Sequence, residues 1–167
     1  QGEIAAAYIA GVLPLPEAAK VVALRSRALS DLRGTGTMAS VLLAADELRP
    51  RLQPWSEALS VAAINGPTHT IISGTPAAIE EFSAACEGDG VHVRSIAVDY
   101  ASHSAQVEAV RERLLAELAG LTPMPSSVPL YSTVGQALSA EPLDTTTMDA
   151  EYWYRNLREP VRFYDRV

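Results

Sequence analysis

The sequence predicts an α/β protein in which a small ferredoxin-like unit, β-α-β-β-α-β, is set between helical segments. Three observations carry this. Between residues 37 and 98, short β-branched and aliphatic runs alternate with helix-period patterns in that order. Asn65-Gly66-Pro67 is a turn signal that folds the two middle runs back on each other. The residues before and after are mainly helical and belong to something else, which is how an inserted subdomain reads.

In chain order, residues 2–10 are alanine-rich, with Glu3 in the first turn and Gly11 just past the end, and read as a helix. After the connector 12–16, Pro16 opens a second helix that runs through Arg25 and Arg27 to about Leu32, where Arg33-Gly34-Thr35-Gly36 breaks it. Residues 37–43 read as a strand, 46–52 as a short helix, 59–64 and 70–73 as the hairpin strands, 76–87 as a helix and 91–98 as the last strand. From Gln106 to Leu118, the positions Val107, Val110, Leu114 and Leu118 form one apolar helical stripe. Thr122-Pro123-Met124-Pro125 is a linker, 128–134 reads as a strand, 135–138 as a turn, and 149–156 as an aromatic-rich helix ending before Pro160.

Composition narrows the class. With 48% hydrophobic and 20% charged residues, the chain is that of a folded globular protein. A net charge of −7 and the lack of a basic patch argue against nucleic acid as a partner. Lys20 is the sole lysine among the cations, which reads as coding bias. The single cysteine, Cys86, excludes an internal disulfide or a cysteine-rich metal site, and its helical setting makes it a small core residue. A reducing cytoplasm fits, and no signal peptide or bilayer-spanning apolar run is present. The start at Gln1, without methionine, reads as a fragment or a processed chain.

The stretch Val98-Asp99-Tyr100-Ala101-Ser102-His103-Ser104 lies where a strand gives way to a helix, in a loop of small and hydroxylated residues. Such loops present side chains on a rigid frame. On the loop alone, Ser102 or Ser104 is a helix cap and His103 a bystander. His69, in a turn, and His92, in a strand, read as ordinary surface or half-buried residues.

Other motifs change the weight on His103. Residues 1–11 resemble the run just after the nucleophile of an acyltransferase Gly-His-Ser-x-Gly elbow. Tyr100-Ala101-Ser102-His103 resembles the specificity and catalytic motif of the acyltransferase domains of modular type I polyketide synthases. Arg25-Ser26-Arg27, Asn65-Gly66-Pro67 and the run from Arg155 to Phe163 follow in that family's order, so the resemblance covers essentially all 167 residues. It implies an α/β-hydrolase-like large subdomain, built in part from 1–35 and 100–167, into which the ferredoxin-like small subdomain 36–99 is inserted. It also implies a nucleophilic serine immediately before Gln1, so these residues alone are expected to be inert.

The family's roles transfer as follows. His103 is the base that takes and returns the serine proton. The backbone N–H of Gln1 is an oxyanion donor at a helix N-terminus. Arg25 clamps the free carboxylate of the acyl group, with the planar two-donor geometry that guanidinium provides; leaving it unpaired costs roughly 3 kcal/mol. Arg25 and Arg27 also read simply as solvated helix charges, and Arg27, pointing elsewhere, takes that role. The backbone carbonyl of Asn156 orients the histidine in place of a triad carboxylate, which makes an Asn156 side-chain change mild. Asn65 lines the cleft, although locally it reads equally well as a plain Asn-Gly turn.

Tyr100 and Ser102 resemble the methylmalonyl type; malonyl enzymes carry His-Ala-Phe-His there, and Gln1 agrees with the methylmalonyl form. The implied activity is transfer of a methylmalonyl unit from coenzyme A, through an acyl-serine, to the phosphopantetheine thiol of an acyl carrier protein. A ketosynthase domain would neighbour it in the parent synthase, and no metal, redox cofactor, nucleic acid or membrane is implied. One methyl group is worth only about 1–3 kcal/mol in a pocket, so malonyl and ethylmalonyl selectivity remain alternatives. So do a malonyl transferase of fatty acid synthesis and a non-catalytic docking module of the same fold.

Overall fold

The computed structural model describes residues 2–135 and 141–166. Helices α1 (Gly2–Ile9) and α2 (Leu15–Ser30) come first. They are followed by β1 (Thr37–Val41), α3 (Ala45–Arg51), β2 (Leu59–Gly66), β3 (His69–Gly74), α4 (Pro76–Gly88) and β4 (Val93–Ile96). Last come α5 (Arg111–Leu118) and α6 (Ala150–Arg158). The strands form one antiparallel sheet in the order β2-β3-β1-β4, so the chain is α/β with the β-α-β-β-α-β order expected. Ala39 at the centre of β1 faces Ile72 of β3 on one side and Ser95 of β4 on the other.

Two hydrophobic clusters follow from this order. Phe82, Ile79 and Cys86 of α4 and Leu48 of α3 pack on Ala39, Val41, Val61 and Ile72 of the sheet. Ile4, Val21, Leu114, Leu118, Trp153 and Leu157 knit α1, α2, α5 and α6 into the other. Thr75 caps α4 by accepting the Ala78 N–H, and Pro76 occupies the first turn, where its missing N–H costs nothing.

The chain enters and leaves the sheet region at one seam. Gly34 N–H donates to the Asp99 carbonyl at 2.7 Å, and Thr37 Oγ1 donates to the Val98 carbonyl at 3.2 Å. A Cβ on Gly36 would lie 2.6 Å from the Ala101 Cβ and 2.7 Å from its backbone nitrogen, so only glycine allows the two segments to cross this closely.

Three local expectations are corrected. The stripe Val107, Val110, Leu114, Leu118 is buried as expected, but its first half is a 3-10 helix, Ala105–Val110, that passes into α5. A 3-10 turn superposes residues three apart, which turns both Val107 and Val110 inward, whereas the four-residue step to Leu114 and Leu118 suits an α-helix. Residues 128–134 are extended without being a strand. The Leu130 carbonyl accepts from Leu143 N–H and the Thr133 carbonyl from Arg162 N–H, single bonds to different segments instead of a ladder. Asn65 belongs to β2, and the hairpin turn is Pro67-Thr68, with Gly66 facing His69. The turn expected at 135–138 falls, after Gly135, on residues outside those described.

The edge strand β2 is bulged between Val61 and Ala63 and between Ile64 and Gly66. There it takes up one residue from beyond α6. Val161 N–H donates to the Ala62 carbonyl and the Ile64 N–H donates to the Val161 carbonyl, each at 2.8 Å, making a one-residue parallel bridge. No helix among the described residues is long and apolar enough to cross a membrane.

Candidate active site

A cavity of about 340 Å³ opens between α1, α2, α6 and the His103 loop, with Glu3, Arg25, His103, Thr133 and Asn156 among its walls. His103 is held there by backbone alone. Its N–H donates to the Leu157 carbonyl at 3.0 Å, and its Nδ1 lies 2.7 Å from the Glu159 carbonyl. A carbonyl only accepts, so Nδ1 carries the proton and Nε2 keeps its lone pair. His103 is, among the described residues, the one non-glycine with positive φ, at 58°. That left-handed turn is uncommon outside glycine, and strain of this kind concentrates at functional sites. Ser104, not Ser102, caps the following turn by accepting the Gln106 N–H. Burial lowers the His103 pKa to about 4, and the Arg25 charge adds to this while the Glu159 carbonyl opposes it. The imidazole is therefore a neutral base at pH 7.

The carbonyl that orients the ring belongs to Glu159 and not to Asn156. The cause is the end of α6: Glu159, at φ −82° and ψ 155°, is the first extended residue past the helix, and its carbonyl turns away from the axis toward the ring. Asn156 enters through its side chain instead. Its Oδ1 accepts from Arg25 Nη1 at 2.5 Å and its Nδ2 donates to Glu3 Oε2 at 3.0 Å, so its side chain is buried structure and not a tolerant position.

Arg25 is only 6% exposed, its Nε has no partner, and no carboxylate pairs with it among the described residues. Burial brings its pKa down to about 10, against the pull of Tyr100 and Glu3, so it stays cationic at pH 7. A buried guanidinium left with an unused donor on a cavity wall is costly alone and is relieved by an anion.

The other predicted positions are less central. Ser102 is buried with its Oγ 3.6 Å from Met38 Sδ of β1, and Tyr100 packs against the helical cluster; neither lines the cavity. Asn65 is exposed on β2 and does not reach it. Gln1 lies outside the described residues, although Gly2, which follows it, is on the cavity wall. Sequence reasoning missed Glu3 as a site group. Its carboxylate accepts from Tyr152 OH, Asn156 Nδ2 and Thr133 Oγ1, yet its only sequence signal was a place in a first helical turn. A wider groove of about 860 Å³ contains neither His103 nor Arg25. Six of its charged residues pair with one another, as Arg111–Glu151, Arg155–Glu159 and Arg158–Glu108.

A neutral histidine base beside a buried cation suits acyl chemistry on an anionic substrate, and comparison with known proteins decides the family. The model of the family described as acyl transferase domain matches residues 1–167. The chain belongs to the acyl transferase domain family. Within it, the chain is 52% identical to the erythronolide synthase EryA2 of Saccharopolyspora erythraea, over 100% of the chain and 5% of that synthase. It is 55% identical to the polyketide synthase GfsE of Streptomyces halstedii, over 98% of the chain and 4% of the relative. The chain thus spans a small part of the curated relatives it matches. The crystal structure of the acyltransferase domain from module 8 of the salinomycin polyketide synthase superposes with a TM-score of 0.92 at 53% identity. That match covers 97% of this chain and 37% of that one. The small antiparallel sheet and its helices are thus an acyl transferase arrangement, and the His103 cavity is the candidate centre of that fold.

Proposed function

We propose that the chain is part of a polyketide synthase acyltransferase domain that moves a methylmalonyl unit from coenzyme A to an acyl carrier protein. In this reading residues 1–35 and 100–167 belong to the large, α/β-hydrolase-like subdomain and 36–99 form the small one. A serine immediately before Gln1 is the nucleophile. His103 Nε2 takes the serine proton as the hydroxyl oxygen attacks the thioester carbonyl. The tetrahedral oxyanion is met by the backbone N–H of Gln1, the residue after the serine. Collapse expels the coenzyme A thiol with the proton returned by His103, leaving the acyl-serine. The same steps in reverse order of partners pass the acyl group to the phosphopantetheine thiol of the carrier protein. Arg25 holds the free carboxylate throughout.

The observation that carries this reading is the pairing, on one cavity, of a neutral base with its Nδ1 fixed and a buried arginine that has no carboxylate partner among the described residues. The preference for methylmalonyl rests on the likeness of Tyr100-Ala101-Ser102-His103 to that type. The reading assigns the domain no metal or redox cofactor, places it in the cytoplasm, and sets a ketosynthase domain beside it in the parent synthase.

The test is intact-mass spectrometry of the full protein carrying these residues, incubated with equal malonyl- and methylmalonyl-coenzyme A. A methylmalonyl adduct on the serine, discharged by carrier protein, supports the reading. Equal or dominant malonyl loading overturns the specificity, and no adduct overturns the activity.

A further inference from the structure

Behind the Arg25 clamp lies a chain of hydrogen bonds that ends on Glu3. Val134 N–H donates to Ser132 Oγ at 3.0 Å, and Ser132 Oγ lies 2.7 Å from Tyr152 OH, which donates to Glu3 Oε1. From the other side, Thr133 Oγ1 donates to Glu3 Oε2 at 3.3 Å and Asn156 Nδ2 donates to the same oxygen at 3.0 Å. Asn156 Oδ1 then receives Arg25 Nη1 at 2.5 Å. The directions are forced. A guanidinium has donors only, so Asn156 must offer it the oxygen. Its NH2 then faces Glu3, which also receives the tyrosine proton and the threonine proton, a set of three donors that suits the acceptor-only oxygens of a carboxylate. Burial raises the Tyr152 pKa, with the Glu3 charge adding to it, so the phenol keeps the proton it donates.

The amide has a second consequence. It separates a carboxylate from the arginine by one neutral group. In direct contact Glu3 would cancel the guanidinium charge; at one remove it orients Asn156, helps keep Arg25 protonated and leaves the cation unpaired.

We infer that Glu3 is a positioning residue: through Asn156 it fixes the direction in which Arg25 meets the substrate carboxylate, and so sets the preference for carboxylated over simple acyl thioesters. This rests on the function proposed above. A glutamine at position 3 would present a donor to Asn156 or to Tyr152. Facing Asn156, it turns that amide over and sets its NH2 against Arg25; facing Tyr152, it leaves Asn156 on a neutral oxygen that holds it more weakly than a carboxylate, and either way the clamp loosens.

The test compares kcat/KM for methylmalonyl- and acetyl-coenzyme A in the full protein, for Glu3→Gln and Asn156→Ala, each alone and combined with Arg25→Ala. The methylmalonyl-to-acetyl ratio is expected to fall roughly tenfold to a hundredfold in each single variant, the scale of a 1 Å misplacement. In the Arg25→Ala background neither change should move the ratio further. Equal losses on both substrates, or a further fall without Arg25, would overturn the proposal. Asn156→Ala cuts the chain beyond Glu3 and reads it even where Glu3→Gln does not fold. A second readout needs no activity: the Arg25 Nε–H nitrogen-15 signal and its exchange with water. A shifted, faster-exchanging signal in both variants supports the proposal and an unmoved one refutes it, even where the wild-type protein loads no acyl group and the functional reading itself has failed.

Discussion

Replacing Asn156 by aspartate changes one heavy atom and almost no volume, yet it places a carboxylate where the structure keeps a neutral amide. The oxygen on Arg25 Nη1, now 2.5 Å away, would gain charge, and the other new oxygen would stand 3.0 Å from Glu3 Oε2. Two carboxylates at that separation share a proton, so the pair holds one negative charge in all, as Glu3 alone does, but about half of it now sits beside Arg25. With charge centres about 4 Å apart and an effective dielectric near 20, the attraction to the guanidinium is about 4 kcal/mol. A substrate carboxylate must displace or share that partner. Even half of this, about 2 kcal/mol, lowers kcat/KM for methylmalonyl-coenzyme A about thirtyfold, while acetyl-coenzyme A, with no carboxylate to hold, should change little. The sign with pH is opposite to that of an ordinary carboxylate clamp. The shared pair has one raised pKa, so raising the pH strips the shared proton, puts a full charge beside Arg25 and deepens the loss, whereas acidification recovers part of it. Steady-state kinetics on both thioesters at pH 6 and pH 8 decide the matter. A variant that loads methylmalonyl within threefold of wild type at pH 8 would refute the view of Asn156 as a neutral spacer.

Other expectations follow from the same geometry. His103→Ala should lower serine acylation about 10²- to 10⁴-fold, the usual worth of a general base, and loading within threefold of wild type would remove His103 from the mechanism. His103 titrates near 4 in the fold against about 6.5 unfolded, so between these values the unfolded chain holds a proton that the folded chain lacks. The stability owed to neutral His103 is complete above about pH 6.5 and declines as pH falls toward 4. The difference in denaturation midpoint between wild type and His103→Gln should therefore move against the wild type on acidification, and a pH-independent difference would show a normal histidine. Gly36→Ala drives a methyl into the Ala101 backbone and should cost about 1–3 kcal/mol, read as a lowered Tm; an unchanged Tm would mean the seam is loose. Exchanging Tyr100-Ala101-Ser102 for His-Ala-Phe should move loading toward malonyl, and an unchanged product ratio in mixed substrate would place the specificity elsewhere.

The elements that could be read from the sequence were those whose own pattern sufficed. The order β-α-β-β-α-β was legible because apolar period, Pro76 after Thr75, and the glycine break at 34–36 all act within a few residues. Residues 128–134 have strand composition, but a strand also needs a neighbour, and these carbonyls find isolated partners. His103 stood out through its motif; that it is neutral and turned into positive φ could only be seen in the fold. The assignment of the orienting carbonyl to Asn156 missed by three residues because sequence does not show where a helix carbonyl leaves the helix axis, and the change falls at Glu159. Glu3 was invisible because its partners, Tyr152, Asn156 and Thr133, lie at least 130 residues away in the chain.

The bridge between Val161 and the bulged edge of β2 bears on how acyltransferases of this family can be recombined. On the division proposed above, residues 36–99 form a cassette bounded by the seam at Gly34 and Asp99. Yet the edge of that cassette grips Val161, two residues beyond the carbonyl that aims the histidine. A hybrid that imports the cassette alone joins a foreign β2 edge to the native segment 159–161, and a shift of the bulge register would be delivered directly to the imidazole. The transferable unit is therefore discontinuous: 36–99 together with the short run after α6.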